Sequence, residues 1–175
     1  NLNQTKRKNL KNILKRTINQ MLKPNERLDD LQFNNLFIIQ NPDLYCFTSD
    51  AVELCNFVKC GAKDRIVDLC SGSGIIGILA QAKTKAKHVY LVEIQESLAD
   101  MSKRSVEYNK LTNVEVVNAP LQNIHKQIGD GFEVAVKIVC PCLLNDKMYN
   151  TALLFLFFFH SSVRLPQKYE KKAHN

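Results

Sequence analysis

Asp68 sits in the β-branched run Ile66-Val67-Asp68-Leu69, followed by Cys70-Ser71-Gly72-Ser73-Gly74 and the apolar Ile75-Ile76-Gly77. Glycines at this spacing let backbone amides approach a ligand, and the helix that follows directs its amino end at it. Glu93 closes the next apolar run, Val89-Tyr90-Leu91-Val92, 19 residues past Gly74. A carboxylate so placed accepts hydrogen bonds from ribose hydroxyls. The chemistry is that of holding an adenosine-bearing cofactor.

Gly72-Ser73-Gly74-Ile75-Ile76-Gly77 satisfies the GxGxxG pattern of dinucleotide sites, which is a weak signal by itself. Asp68 discriminates between ligands. A carboxylate there repels the pyrophosphate of NAD or FAD and attracts a cationic ligand, such as the ammonium and sulfonium of S-adenosylmethionine. At ~4 Å and an effective dielectric near 20, one such pair is worth about 4 kcal/mol before desolvation. S-adenosylmethionine is therefore the expected cofactor.

Positioning these residues requires alternating strands and helices. The pattern predicts strands at 66–69, 88–93, 114–117 and 132–139, helices at 75–83 and 96–109, and a short helix near 121–128. Such alternation implies an α/β protein with a mostly parallel sheet. Upstream, residues 26–47 predict a small hairpin, and Thr48-Ser49-Asp50 caps a helix running through Leu54, Phe57 and Val58. Downstream, the apolar run Ala152–Phe159 reads as a buried central strand. Residues 161–175 read as a frayed tail.

The chain of 175 residues, 45% hydrophobic, fits one domain with one core. Residues 1–23 hold seven of the 24 cations and none of the 17 acids, so the net charge of +7 sits there. Leu10, Ile13, Leu14, Ile18, Met21 and Leu22 recur at helical spacing until Pro24, which predicts a basic amphipathic helix. Its cations suit a polyanionic partner, and RNA is the expected one. The longest apolar stretch has eight residues, far short of the roughly 18 of a membrane span, and no membrane partner is expected. The N-terminus has no apolar signal-like region. Cys140-Pro141-Cys142 lacks the further ligands a zinc site needs, so no metal is expected. The six cysteines read as reduced thiols in a cytoplasmic protein.

Five motifs occur in order: Glu26-Arg27-Leu28-Asp29-Asp30-Leu31-Gln32, Ile39-Gln40-Asn41-Pro42, Phe47-Thr48-Ser49-Asp50-Ala51-Val52, Val67 to Ile76, and Val92-Glu93-Ile94-Gln95-Glu96-Ser97-Leu98-Ala99-Asp100-Met101. In this order, over residues 24 to 136, the chain resembles the bacterial tRNA-valine adenine-N6 methyltransferases. The resemblance implies a Rossmann-like methyltransferase fold and methyl transfer from S-adenosylmethionine to the exocyclic amine of a tRNA adenine. It implies cofactor-loop roles for Asp68, Gly72 and Gly74, a ribose-binding role for Glu93, and an apolar contact from Ile94 beside the adenine ring. Cys70 and Ser71 in the same loop, with Asn118 and Ala119 after the third parallel strand, complete the expected cofactor site.

Three departures bear on activity. Cys70 stands where the family has glycine. Pro120 stands where the family places an acid that reads the cofactor adenine. Val139-Cys140-Pro141-Cys142 stands where the family has Asn-Pro-Pro-Tyr. In that motif the asparagine and a proline carbonyl orient the amine, and the aromatic stacks on the flipped base. Cysteine serves neither purpose. The 33 residues after Cys142 also leave the sheet incomplete at its C-terminal edge. The organisation expected is a basic helix over 1–23, a methyltransferase-like domain over 24–160 and a tail over 161–175. Four functions stay open: an RNA adenine-N6 methyltransferase, a cofactor-binding protein with impaired catalysis, an enzyme like the protein glutamine methyltransferases, which share the Asn-Pro-Pro-Tyr loop, and an NAD-binding oxidoreductase domain, which Asp68 disfavours.

Overall fold

The computed structural model describes residues 20–44, 46–122, 124–138 and 154–163, together with Lys6 and Lys8. Two short strands, β1 (Arg27–Asp30) and β2 (Phe37–Gln40), form an antiparallel hairpin with Arg27 opposite Gln40. Helix α1 (Ser49–Phe57) follows. The alternating part comprises β3 (Arg65–Leu69), α2 (Ile75–Thr84), β4 (His88–Glu93), α3 (Glu96–Tyr108), β5 (Val114–Asn118), the single turn α4 (His125–Ile128) and β6 (Phe132–Ile138). Strand β7 (Leu154–Val163) closes the described chain.

The sheet runs in the order β5-β4-β3-β6-β7. Its first four strands are parallel, and β7 pairs antiparallel with β6. β3 lies at the centre of the parallel part, and both its faces are covered. Ile66 belongs to the larger apolar cluster with α1 and α2, while Val67 belongs to the cluster of Val92, Ile124, Ile128 and Phe132 on the other face. A β-branched run without alternation is what a strand buried on both faces requires. The fold is the α/β, mostly parallel, Rossmann-like arrangement expected from the alternation.

Most differences from the sequence reading fall at element ends. β5 gains Asn118, α2 gains Thr84, and the helix expected near 121–128 is ordered as α-helix only from His125. The larger correction concerns the run 152–159. Its strand is the outermost of the sheet among the described residues, paired antiparallel to β6, not central. An apolar run alone does not tell a central strand from an outer one, and an antiparallel neighbour needs no crossover helix. β7 also reaches Val163, past the boundary expected at residue 160.

The hairpin docks on α3. Ile39 packs with Leu98 and Met101, and Met21, Leu22 and Leu28 pack against that cluster. Arg104 fastens the same corner, donating to both Glu26 carboxylate oxygens at 2.6 and 2.7 Å, to Asp100 Oδ2 at 2.6 Å and to the Met21 carbonyl at 2.8 Å. The end of the basic segment is thereby held to the domain. Lys6 and Lys8 are helical and exposed, and the rest of residues 1–19 lies outside the described residues. No helix among the described residues is long and apolar enough to cross a membrane.

Candidate cofactor site

The carboxyl ends of β3, β4 and β5 meet at one edge of the sheet, and every described residue of the expected cofactor site is there. Asp68 is the last but one residue of β3 and is 1% exposed. Its Oδ2 accepts the Gly77 amide of α2 at 3.0 Å. Its Oδ1 is buried without a hydrogen-bond partner. Burial pushes the carboxyl up to about 7, the Gly77 amide opposes the rise and the Glu93 charge adds to it. A buried acceptor of this kind gains most from a donor or cation brought by a ligand.

The turn from β3 to α2 is built to approach a ligand. Its backbone is pinned by the Ser71 amide on the Val92 carbonyl at 3.0 Å and the Gly74 amide on the Ser71 carbonyl at 2.8 Å. Gly74 is left-handed (φ +89°), and a Cβ there would collide with Ser102 Oγ. At Gly72 a Cβ would meet nothing within 4 Å, so this side of the turn faces open space. Ser71 Oγ is a second buried oxygen without a partner. Cys70 is also left-handed (φ +60°) despite its side chain, a conformation costing roughly 1–2 kcal/mol relative to glycine.

Glu93 ends β4 and is 4% exposed. Its Oε2 accepts the Gly72 amide at 2.8 Å and its Oε1 the Gln95 amide at 2.9 Å. The carboxylate therefore holds the turn as well as offering further lone pairs to hydroxyl donors. Ile94, next along the chain, is 65% exposed, an apolar side chain presented at the strand end. Asn118 Nδ2 donates to the Glu93 and Ile94 carbonyls at 2.8 and 3.1 Å, and the Ala119 amide donates to the Glu93 carbonyl at 3.1 Å. These bonds lock the ends of β4 and β5 together beside Ile94. Val139, Cys140, Pro141 and Cys142, the expected amine-orienting loop, lie outside the described residues.

One polar residue at the site carries a role that spacing did not assign. Gln40, 1% exposed at the end of β2, donates from Nε2 to Ser73 Oγ at 3.2 Å and accepts the Phe47 amide on Oε1 at 3.2 Å. It ties the hairpin, the cofactor turn and the start of α1 together. A lone glutamine closing the apolar run Phe37–Ile39 was the available signal. Thr48 is the N-cap of α1 and makes no side-chain cap bond; Asp50 lies in the first turn of the helix, and its Oδ1 is buried without a hydrogen-bond partner.

Known proteins resemble this chain in sequence and in fold. The lysine methyltransferase family matches residues 47–157, from the start of α1 into β7. The ribosomal protein L11 methyltransferase of Acetivibrio thermocellus is 32% identical over 117 residues, 63% of this chain and 36% of that protein. Protein arginine N-methyltransferase 1 of Caenorhabditis elegans is 35% identical over 98 residues, 53% of this chain and 27% of that protein. The chain thus spans only about a third of the length of these curated relatives. Among solved structures, M. jannaschii TYW2 in complex with AdoMet has the same fold, with a TM-score of 0.52 at 15% identity over 72% of this chain and 69% of that one. P. horikoshii TYW2 in complex with MeSAdo gives 0.51 at 13% identity over 73% and 58%. The family match covers well over half of the chain, and the chain belongs to the lysine methyltransferase family.

Proposed function

We propose that this chain is an S-adenosylmethionine-dependent methyltransferase whose acceptor is the N6 amine of an adenine in tRNA. One observation carries the cofactor reading. Asp68 places a buried, unpartnered carboxylate oxygen at the end of the central strand, beside a glycine turn open at Gly72. A pyrophosphate is repelled there, whereas a sulfonium with an α-ammonium is attracted. Glu93 takes the ribose hydroxyls, and Ile94 with Ala119 flanks the adenine ring. When bound, the cofactor supplies an electrophilic methyl group, and the protein's task is to hold and orient it.

The acceptor reading rests on the motif order from Glu26 to Met101 and on the basic segment, whose docked end is fixed by Arg104. Lysine and adenine acceptors share one requirement, a neutral nitrogen lone pair aimed at the methyl. The cations of residues 1–23 favour a nucleic acid among them.

A second reading has its own observation. Cys140-Pro141-Cys142 stands where an amine-orienting Asn-Pro-Pro-Tyr would be, which favours cofactor binding with weak or no methyl transfer. Lost orientation costs on the order of a thousandfold in rate. Transfer of a labelled methyl group from S-adenosylmethionine to bulk tRNA separates the two. Turnover of about one per minute or faster, with N6-methyladenosine as product, supports the enzyme. Cofactor binding without labelled tRNA supports the second reading.

A further inference from the structure

The cations beyond residue 23 are not spread evenly over the domain. Residues 24–175 hold 17 cations and 17 acids, yet residues 59–65 and 83–87 together hold six cations and one acid. Both segments lie at the amino ends of the parallel strands, the edge opposite the cofactor site. The first runs from the end of α1 into β3, and the second from the last residues of α2 towards β4. They are joined to each other. The Lys87 amide donates to the Asp64 carbonyl at 2.9 Å, and the Cys60 side chain shares a hydrogen bond with that of Thr84. Asn113 Nδ2 donates to the Ala86 carbonyl at 2.9 Å and braces the second segment from the side of β5.

Some of these charges are used within the protein. Asp64 Oδ2 accepts the Gly61 amide at 2.6 Å. Arg65 donates to the Ile128 and Asp130 carbonyls, both at 2.9 Å, and lies 4.4 Å over the Phe132 ring. Lys83 Nζ donates to Asn56 Oδ1. Lys59, Lys63, Lys85 and Lys87 remain, all exposed, and their ammonium groups have no hydrogen bond or ion pair to a described residue. Like charges on adjoining, braced loops repel one another and gain from a polyanion. The neighbouring acids do not offset them: Glu133 accepts the Arg65 amide at 2.8 Å, Glu115 faces His88 at 3.4 Å, and exposed Asp130 bounds the patch beside β6. Phe57 ends α1 two residues before Lys59 and is 58% exposed, the only exposed phenylalanine or tyrosine among the described residues. Its neighbour Asn56 is the residue that Lys83 reaches, so Phe57 belongs to the same edge.

We propose that this edge is a second RNA surface, in which the four lysines neutralise backbone phosphates and Phe57 stacks on an unpaired base. Lysines alone would suit any polyanion, whereas an exposed ring among them favours one that carries bases. The proposal rests on the tRNA reading above and is independent of the cofactor reading. β3 spans about 16 Å at roughly 3.3 Å per residue, so a ligand that engages both edges of the sheet is several nucleotides long. A lone nucleoside at the cofactor edge does not reach this surface. The surface is also separate from residues 1–23, whose docked end lies on α3.

Binding of bulk tRNA to the full chain, followed by fluorescence anisotropy over a salt series, tests this. Lys85→Gln combined with Lys87→Gln is expected to lower the slope of log affinity against log salt by roughly 1.4–1.8, the equivalent of two phosphate contacts. Lys103→Gln combined with Lys126→Gln removes the same charge from exposed positions on α3 and α4 and is expected to leave the slope unchanged. Phe57→Ala is expected to weaken binding about tenfold without changing the slope, and Phe57→Tyr to retain it. Affinity for S-adenosylhomocysteine should be the same in all these variants. Equal slopes in the two lysine doubles, or no loss in Phe57→Ala, overturn the proposal while leaving the tRNA reading in place. Polyglutamate or phosphatidylserine vesicles bound through these residues as tightly as tRNA overturn it as well. Failure of the unaltered chain to bind tRNA overturns both the proposal and the tRNA reading, and leaves the cofactor reading standing.

Discussion

The Glu93 carboxylate accepts the Gly72 amide at 2.8 Å, so the end of β4 holds the turn that follows β3. One side chain thus both shapes the glycine turn and faces the expected ribose. Glu93→Gln keeps one acceptor oxygen but loses the charge-assisted bonds, and Glu93→Ala loses both. Affinity for S-adenosylhomocysteine is expected to fall about threefold to tenfold in the first and at least tenfold in the second, measured by calorimetry. Equal affinity in all three proteins would remove Glu93 from the site.

Asp68 gives the site a pH dependence with a definite sign. Its carboxyl rises from 3.8 in the unfolded reference to about 7 in the fold. Between those values the folded chain binds the extra proton, so this group's contribution to stability is full below about pH 4, is lost as pH rises to about 7, and is flat above. A cationic ligand favours the ionised form, so affinity for S-adenosylmethionine is expected to rise about tenfold from pH 6 to pH 8. Asp68→Asn should flatten that rise, and should flatten part of the melting-temperature profile between pH 4 and 7.

Gly77 of α2 packs directly on β4: a Cβ there would collide with Leu91 Cδ2, while its amide serves Asp68. Gly77→Ala is expected to destabilise the fold by roughly 1–3 kcal/mol and to lower cofactor affinity by displacing the amide from Asp68. Thermal melting with and without S-adenosylhomocysteine checks both effects. An unchanged melting temperature would contradict the packing described.

The basic segment should be felt as salt dependence. Deleting residues 1–19 leaves Met21, Lys23 and Glu26, and hence the Arg104 anchor, in place. Each phosphate contact so removed is expected to lower the slope of log affinity for tRNA against log salt by roughly 0.7–0.9. An unaltered slope would mean that the cations face solvent and not RNA.

The site was legible in the sequence where local chemistry dictates it. Asp68, Gly72, Gly74 and Glu93 announce themselves because only those residue types make a glycine turn between a carboxylate-ended strand and a helix. Asn118 and Ala119 were named through the resemblance, which places cofactor contacts just after the third parallel strand. Gln40 was not assigned, because its role depends on a hairpin folding back onto the turn, a relationship no spacing encodes. The same holds for β7. Its apolar residues declare a strand, but its place and direction in the sheet come from pairing with β6, which lies elsewhere in the chain.

Cofactor selectivity tests the central claim most directly. Calorimetric titration of the chain with S-adenosylhomocysteine and with NAD is expected to give one-to-one binding of the first and none of the second, with Asp68→Ala weakening the first at least tenfold, about 1.4 kcal/mol. Binding of NAD, or S-adenosylhomocysteine affinity unaltered by Asp68→Ala, would contradict a pocket whose buried carboxylate selects a cationic methyl donor.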